Sequence, residues 1–181
     1  MLITTLLQIM IDYDLTKIRA FVFDVDGVLS PTTIAINERG EPVRMVNIKD
    51  GYAIQLAVKR GFKVAIITGS RFEAVRLRYN MLGVTDIFTG AAVKLPVLKE
   101  WMERNGLAKE ETVFCGDDLP DLPCMDYVGL AVAPADAVPE AHAAARYICP
   151  RDGGYGVARD VIEQVMKAQG VFSATEPTAS I

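Results

Sequence analysis

The sequence predicts an α/β fold, a three-layer Rossmann-like parallel sheet with helices on both faces. First, short continuous apolar runs alternate with helical segments of about 10–14 residues, the pattern of strands that are buried on both faces. Second, a chain of 181 residues that is 51% hydrophobic fits one domain. We therefore expect a single domain over 1–181, with an N-terminal extension at 1–12 and a mobile tail at 170–181.

Each element is predicted from its local pattern. The core strands are expected at the apolar runs 19–24, 63–68, 87–89, 112–116, 128–133 and 146–149. The helices are expected at 52–60, 71–82, 95–105 and 156–169, and a glycine follows each of the first three. Two β-branched runs, 33–36 and 43–48, flank a turn with Gly40 and Pro42, which predicts a projecting β-hairpin. Asp50 precedes the first helix and is predicted to cap it.

Composition excludes several classes of function. Nineteen Lys and Arg stand against 23 Asp and Glu, so a net charge of −4 provides no basic field for nucleic acid. The single histidine, His142, excludes chemistry that needs two imidazoles. Three cysteines without a C-x-x-C pair indicate a reduced, cytoplasmic protein.

The N-terminal segment 1–11 is apolar, yet it does not have the pattern of a signal peptide. No basic residue precedes it and no small-residue cleavage site follows it. It is also shorter than the ~20 residues that span a bilayer. We therefore expect no membrane partner, and both Met1 and Met10 remain possible starts.

Polar residues follow the predicted core strands and begin one helix. They are Asp24 and Asp26 after the first strand, Thr68, Gly69 and Ser70 after the second, Lys94 at a helix start, and Asp117, Asp118 and Asp121 after the strand at 112–116. Ligands of parallel sheets bind beyond the carboxyl ends of the strands, where these residues would meet. The sequence therefore predicts one site at this edge.

The residue types at this edge suit phosphoryl chemistry. Clustered carboxylates without histidine favour a hard cation, and Mg²⁺ is the common choice. Such a cation also explains why like charges are tolerated close together. A lysine and a hydroxyl can cradle phosphoryl oxygens. One carboxylate can act as nucleophile and a second as acid and then base.

Four motifs in order resemble those of the haloacid dehalogenase superfamily. They are Asp24-Val25-Asp26-Gly27-Val28, Thr68-Gly69, Lys94, and Gly116-Asp117-Asp118 followed by Asp121. The segments 46–52, 65–69, 82–84 and 153–159 further resemble the phosphatases of that superfamily that act on 3-deoxy-D-manno-octulosonate 8-phosphate in lipopolysaccharide precursor synthesis. The resemblance covers about 13–170 and implies a Mg²⁺-dependent phosphomonoesterase that forms an aspartyl phosphate.

The resemblance implies a role for each motif residue. Asp24 is the nucleophile and a metal ligand, and Asp26 is the acid/base and a metal ligand through its backbone carbonyl. Asp117 is the third metal ligand. Thr68 and the Gly69 amide hold the phosphoryl group, and Lys94 neutralises its charge. Asp118 and Asp121 lie nearby, as metal ligands through water or as partners of Lys94.

Four further residues are candidate substrate contacts, and one of them differs from the residue that many relatives have. Arg78 matches a position that the family uses for the sugar-acid carboxylate across a subunit boundary, and an Arg fork suits a planar carboxylate. Many relatives have Arg where this chain has Ser70, and Arg71 could supply that charge from another direction on the helix. Asp50 is a further candidate substrate contact.

The motif spacing leaves no room for a cap domain. The interval between Asp26 and Thr68 holds only the hairpin and one helix, and that between Thr68 and Lys94 holds one helix and a short strand. Something else must exclude water from the site. The resemblance implies a homotetramer whose hairpins and tails do so, and the apolar hairpin runs are typical of an interface.

Three alternatives stay open. Phosphatases of a nine-carbon ulosonic acid 9-phosphate tend to carry an acid at the position of Ser70. A signalling receiver domain uses similar residues with Mg²⁺, but its acids precede the Thr and Lys, whereas Asp117 and Asp118 follow Lys94 here. A catalytically silent assembly module would be expected to lack a motif acid, and none is missing.

Overall fold

The computed structural model describes residues 10–173 and shows the predicted parallel sheet. Its strands are β1 (Ala20–Phe23), β4 (Lys63–Ile67), β5 (Asp86–Phe88), β6 (Thr112–Cys115), β7 (Leu130–Ala133) and β8 (Tyr147–Ile148), while β2 (Ala35–Ile36) and β3 (Pro42–Val43) form the hairpin. The six-stranded sheet has the order β5-β4-β1-β6-β7-β8, with every neighbouring pair parallel. Most of the predicted extension and tail lies outside the described residues.

Helices cover both faces of this sheet. They are α1 (Ile48–Lys59), α2 (Glu73–Asn80), α3 (Lys94–Arg104), α4 (Leu122–Met125), α5 (Pro139–Ala144) and α6 (Val157–Ala168), with 3-10 turns at Leu15–Lys17, Lys109–Glu111 and Leu119–Asp121. Successive strand side chains point to opposite faces. In β1, Phe21 and Phe23 therefore pack with α1, α2 and α6, and Ala20 and Val22 with α3, α4 and α5. The three-layer fold is confirmed.

The hairpin is antiparallel but shorter than predicted. Ala35 pairs with Val43, and Ile36 pairs with Pro42. Pairing ends after Val43, because the chain leaves the second strand to reach the start of α1 at Ile48. Only this hairpin, α1 and β4 lie between the first two motifs, and only α2 and β5 lie between the next two, so these fully described intervals contain no cap domain.

The predicted N-cap of α1 at Asp50 is wrong. Asn47 caps the helix, since its side-chain oxygen accepts hydrogen bonds from the amides of Lys49 at 2.9 Å and Asp50 at 3.3 Å. Asp50 lies in the first turn, where its Oδ1 accepts a 2.7 Å hydrogen bond from the Arg159 amide. Asp50 thus ties α1 to the start of α6. Within 10–173, the structure holds no helix of the length and apolarity needed to cross a membrane.

Candidate active site

The predicted motif residues converge because their strands are neighbours. Strand β1 lies between β4 and β6, so the segments that follow these three strands meet at one edge. A cavity of about 540 Å³ opens there. Its lining includes the predicted residues Asp24, Asp26, Thr68, Gly69, Ser70, Lys94, Asp117, Asp118 and Asp121. One site therefore gathers the four motifs that are scattered along the chain.

Lys94 lies between two buried carboxylates. Its Nζ is 3.0 Å from Oδ1 of Asp24 and 2.7 Å from Oδ1 of Asp121. Burial alone would lower the pKa of Lys94, but the two carboxylates outweigh it and raise that pKa above its usual value. Lys94 is therefore held as an ammonium, and it orients the Asp24 carboxylate through a charge-assisted contact.

Burial and mutual repulsion disfavour the ionised form of the clustered acids. Burial, with the nearby Asp121 charge, raises the pKa of Asp24 to about 7 against the opposing effect of Lys94. Burial and the charges of Asp24, Asp121 and Asp118 raise the pKa of Asp117 to about 8. One ligand atom from each of Asp24, Asp117 and Asp121 lies within 4.8 Å of the others. A divalent cation would satisfy such a group, because it favours the charged form of each acid.

Asp121 organises the loop after β6. Its Oδ2 accepts hydrogen bonds from the amides of Asp117 at 3.0 Å and Asp118 at 3.4 Å, while its Oδ1 faces Lys94. Both oxygens of Asp121 are thus engaged by the protein. We infer that Asp24 and Asp117 are the carboxylates more available for direct metal contact.

Two glycines allow the loops to approach each other. A Cβ at Gly27 would overlap the Asp117 carboxylate, and the φ of Gly27, +85°, is one that side chains disfavour. A Cβ at Gly116 would overlap the Cβ of Asp121. Gly27 therefore lets the first acidic motif approach the last one, and Gly116 lets the last motif fold closely on itself.

Asp26 lines the same cavity but is more exposed than the buried cluster, and it meets an arginine that sequence reasoning missed. Arg44 Nε donates to Asp26 Oδ1 at 2.6 Å, and Arg44 Nη2 donates to Oδ2 at 2.7 Å. The Arg44 guanidinium also lies 5.3 Å from the centre of the Phe72 ring. A signal was present, since Arg44 is the one charged residue in the apolar run 43–46 of the predicted hairpin strand.

The Thr68 loop is held by its own side chains. The buried Thr68 Oγ1 accepts a 3.1 Å hydrogen bond from the Ser70 amide, and Ser70 Oγ accepts a 3.4 Å hydrogen bond from the Phe72 amide. Arg71 is exposed and packs near Gly90, and it does not line the cavity. The substitute contact predicted for Arg71 therefore has no support in this arrangement.

Two predicted substrate contacts lie elsewhere in the same chain. Arg78 lines a separate cavity of about 310 Å³ beneath the hairpin, and not the cavity with Asp24. Asp50 is buried against α6, and burial raises its pKa to about 6. Asp50 therefore has a structural contact in this chain, and a substrate contact by Arg78 would need a neighbouring subunit, as the resemblance implied.

Comparison with known proteins agrees with this geometry. A family model described as haloacid dehalogenase-like hydrolase matches residues 83–160. The 3-deoxy-D-manno-octulosonate 8-phosphate phosphatase KdsC of Escherichia coli K12 is 40% identical over 154 residues, which cover 85% of this chain and 82% of that protein. The Yersinia pestis KdsC is 38% identical over 153 residues, or 84% and 82% of the two chains.

Solved structures extend the likeness to three dimensions. The Y. pestis 3-deoxy-D-manno-octulosonate 8-phosphate phosphatase superposes with a TM-score of 0.83 at 37% identity, covering 87% of this chain and 85% of that one. The Moraxella catarrhalis enzyme, in complex with a magnesium ion, a phosphate ion and a KDO molecule, gives 0.82 at 32% identity, covering 87% and 90%. These findings confirm the resemblance carried by the four motifs. The chain belongs to the 3-deoxy-D-manno-octulosonate 8-phosphate phosphatase family of haloacid dehalogenase-like hydrolases.

Proposed function

We propose that the protein hydrolyses 3-deoxy-D-manno-octulosonate 8-phosphate to the free sugar acid and inorganic phosphate, with Mg²⁺ as cofactor. The observation that carries this function is the meeting of Asp24 and Asp117, which follow the adjacent strands β1 and β6, with Lys94 at the start of α3. The relative from M. catarrhalis that binds Mg²⁺, phosphate and KDO supports the substrate class and the metal. The role fits lipopolysaccharide precursor synthesis.

The residues present fit a magnesium ion. The three clustered acids Asp24, Asp117 and Asp121 each offer carboxylate oxygen, the ligand atom that Mg²⁺ prefers. Asp24 and Asp117 would hold it through their carboxylates, and Asp26 through its backbone carbonyl, as the resemblance implies. When bound, Mg²⁺ supplies positive charge that stabilises the ionised carboxylates and the phosphoryl oxygens.

Each side chain of the site then has its own step in the reaction. The Asp24 carboxylate attacks phosphorus, so that a bond forms between them while the bond from phosphorus to the sugar oxygen breaks. Asp26 gives that departing oxygen a proton and then takes one from the water that hydrolyses the aspartyl phosphate. Lys94, 3.0 Å from Asp24, and the buried Thr68 surround the position of the phosphoryl group.

We further propose that the protein works as a homotetramer in the cytoplasm. Large apolar side chains are exposed on and beside the hairpin, on α2 and at its C-cap, namely Ile36, Val43, Met45, Ile48, Leu77 and Met81. Such a patch is typical of a protein interface. The position of Arg78 outside the cavity of its own chain supports a site completed by a neighbour. The three cysteines are free and buried, in keeping with a reducing compartment.

A substrate panel tests the proposed function. Phosphate release with Mg²⁺ is measured from the eight-carbon sugar-acid phosphate, the nine-carbon 9-phosphate and p-nitrophenyl phosphate, beside Asp24→Asn. We expect the eight-carbon substrate to react fastest and Asp24→Asn to be inactive. Faster turnover of the nine-carbon substrate would overturn the assignment, and an active Asp24→Asn would overturn the mechanism.

A further inference from the structure

The contact between the hairpin and Asp26 has a consequence for catalysis. We propose that Arg44 is a positioning residue, which fixes the direction of the Asp26 carboxylate for proton transfer and so makes the hairpin part of the catalytic apparatus. This inference rests on the proposed phosphatase function. It concerns Arg44 acting through Asp26, and not a contact between Arg44 and the substrate.

The pair differs from an ordinary surface ion pair. The Arg44 side chain is only 13% exposed, whereas the Asp26 side chain is 41% exposed. Two separate nitrogens of Arg44 reach the two oxygens of Asp26, at 2.6 and 2.7 Å. Bidentate pairs of this kind fix the relative orientation of both groups as well as adding energy. Exposed pairs, in contrast, contribute little and hold no defined geometry.

Arg44 is itself held on a second side. Its guanidinium lies 5.3 Å from the centre of the Phe72 ring, and Phe72 is the N-cap residue of α2. Phe72 follows the Thr68 loop, so Arg44 joins the loops after β1 and β4 to the hairpin. Three segments that are distant along the chain therefore define where this guanidinium sits.

Asp26 needs such a partner. With its side chain 41% exposed, packing alone does not select one rotamer. Among the described residues, Arg44 is the one that donates hydrogen bonds to its carboxylate. Each oxygen of a carboxylate has more than one lone pair, so beside the Arg44 contact each can still carry the proton that goes to the leaving oxygen and later accept one from water. The bidentate contact with Arg44 therefore still allows proton transfer by Asp26, while it restricts rotation of the Asp26 carboxylate.

A double-mutant cycle tests the proposal with p-nitrophenyl phosphate and the sugar-acid phosphate. We expect Arg44→Ala to lower kcat by about 10- to 100-fold with little change in KM, the effect of a misplaced catalytic group. Arg44→Lys should recover part of kcat, because a lysine keeps the charge without the fork. Arg39→Ala is the matched control, since it removes the same charge from the exposed hairpin turn and should leave kcat unchanged.

The cycle separates positioning from substrate binding. If Arg44 acts through Asp26, the double variant Asp26→Asn with Arg44→Ala is no slower than Asp26→Asn alone. Losses that multiply, or an Arg44→Ala enzyme as fast as wild type, would overturn the proposal. Should Arg44→Ala fail to fold by circular dichroism, the same cycle is run with Arg44→Lys. A wild-type protein without phosphatase activity would instead refute the proposed function itself.

Discussion

Titration with Mg²⁺ across pH tests the electrostatics of the acidic cluster. In the metal-free chain, burial raises the pKa of Asp24 to about 7 and that of Asp117 to about 8. Carboxylates bind a metal in their ionised form, so binding must displace the protons that these groups hold. Below both pKa values, at about pH 6, we expect each ion to release about one to two protons. Above both, at about pH 9, we expect almost none.

The same linkage sets the affinity. Below about pH 7, the association constant should rise about 10- to 100-fold for each pH unit, and it should level off above about pH 8. Isothermal titration calorimetry in two buffers of different ionisation enthalpy counts the protons directly. Asp117→Asn should release about one proton fewer at pH 6. An affinity that is constant between about pH 6 and 8, with no proton release, would refute the reasoning.

Without metal, the stability of the fold should depend on pH with the opposite sign to the metal affinity. In the unfolded chain these acids have their ordinary pKa of 3.8, whereas in the folded chain the pKa is about 7 for Asp24 and about 8 for Asp117. The unfolded state therefore binds fewer protons than the folded state. Without metal, the free energy of unfolding should then fall as pH rises from about 4 to about 8. Urea unfolding in EDTA measures this fall, and excess Mg²⁺ should remove most of it.

Two further predictions concern stability and geometry. Lys94→Met should cost about 3 kcal/mol of unfolding free energy without metal, because it leaves Asp24 beside Asp121 with no cation; an unchanged urea midpoint would contradict this. Gly27→Ala should abolish activity and weaken Mg²⁺ binding, because its Cβ would displace the Asp117 carboxylate. Gly61→Ala, with a similar φ and open space around its Cβ, is the control and should keep activity; equal losses in both would refute the steric argument.

Much of the fold could be predicted because its determinants are local. Buried parallel strands require apolar runs, and the run at 112–116 corresponds to β6 within one residue. Motif residues such as Asp24 and Thr68 could be placed together because parallel strands end at one edge, whatever the loops between them do. The short helices α4 and α5 had no pattern long enough to be predicted.

The missing parts depend on tertiary contacts. The choice of Asn47 over Asp50 as the N-cap of α1 follows from the pairing of Asp50 with the start of α6, which is far along the chain. Arg44 and Asp26 are 18 residues apart, and they meet only because the hairpin folds back over the β1 loop. A contact of this kind cannot be predicted from the periodicity of the sequence.

Trapping the phosphorylated enzyme tests the nucleophile most directly. The protein is mixed with the eight-carbon sugar-acid phosphate and Mg²⁺, quenched within one turnover and treated with borohydride, which reduces an aspartyl phosphate to homoserine. Peptide mass spectrometry then locates the reduced residue. We expect homoserine at position 24 in wild type and at no position in Asp24→Asn. Homoserine at position 26, or none in an enzyme that turns over, would contradict the mechanism.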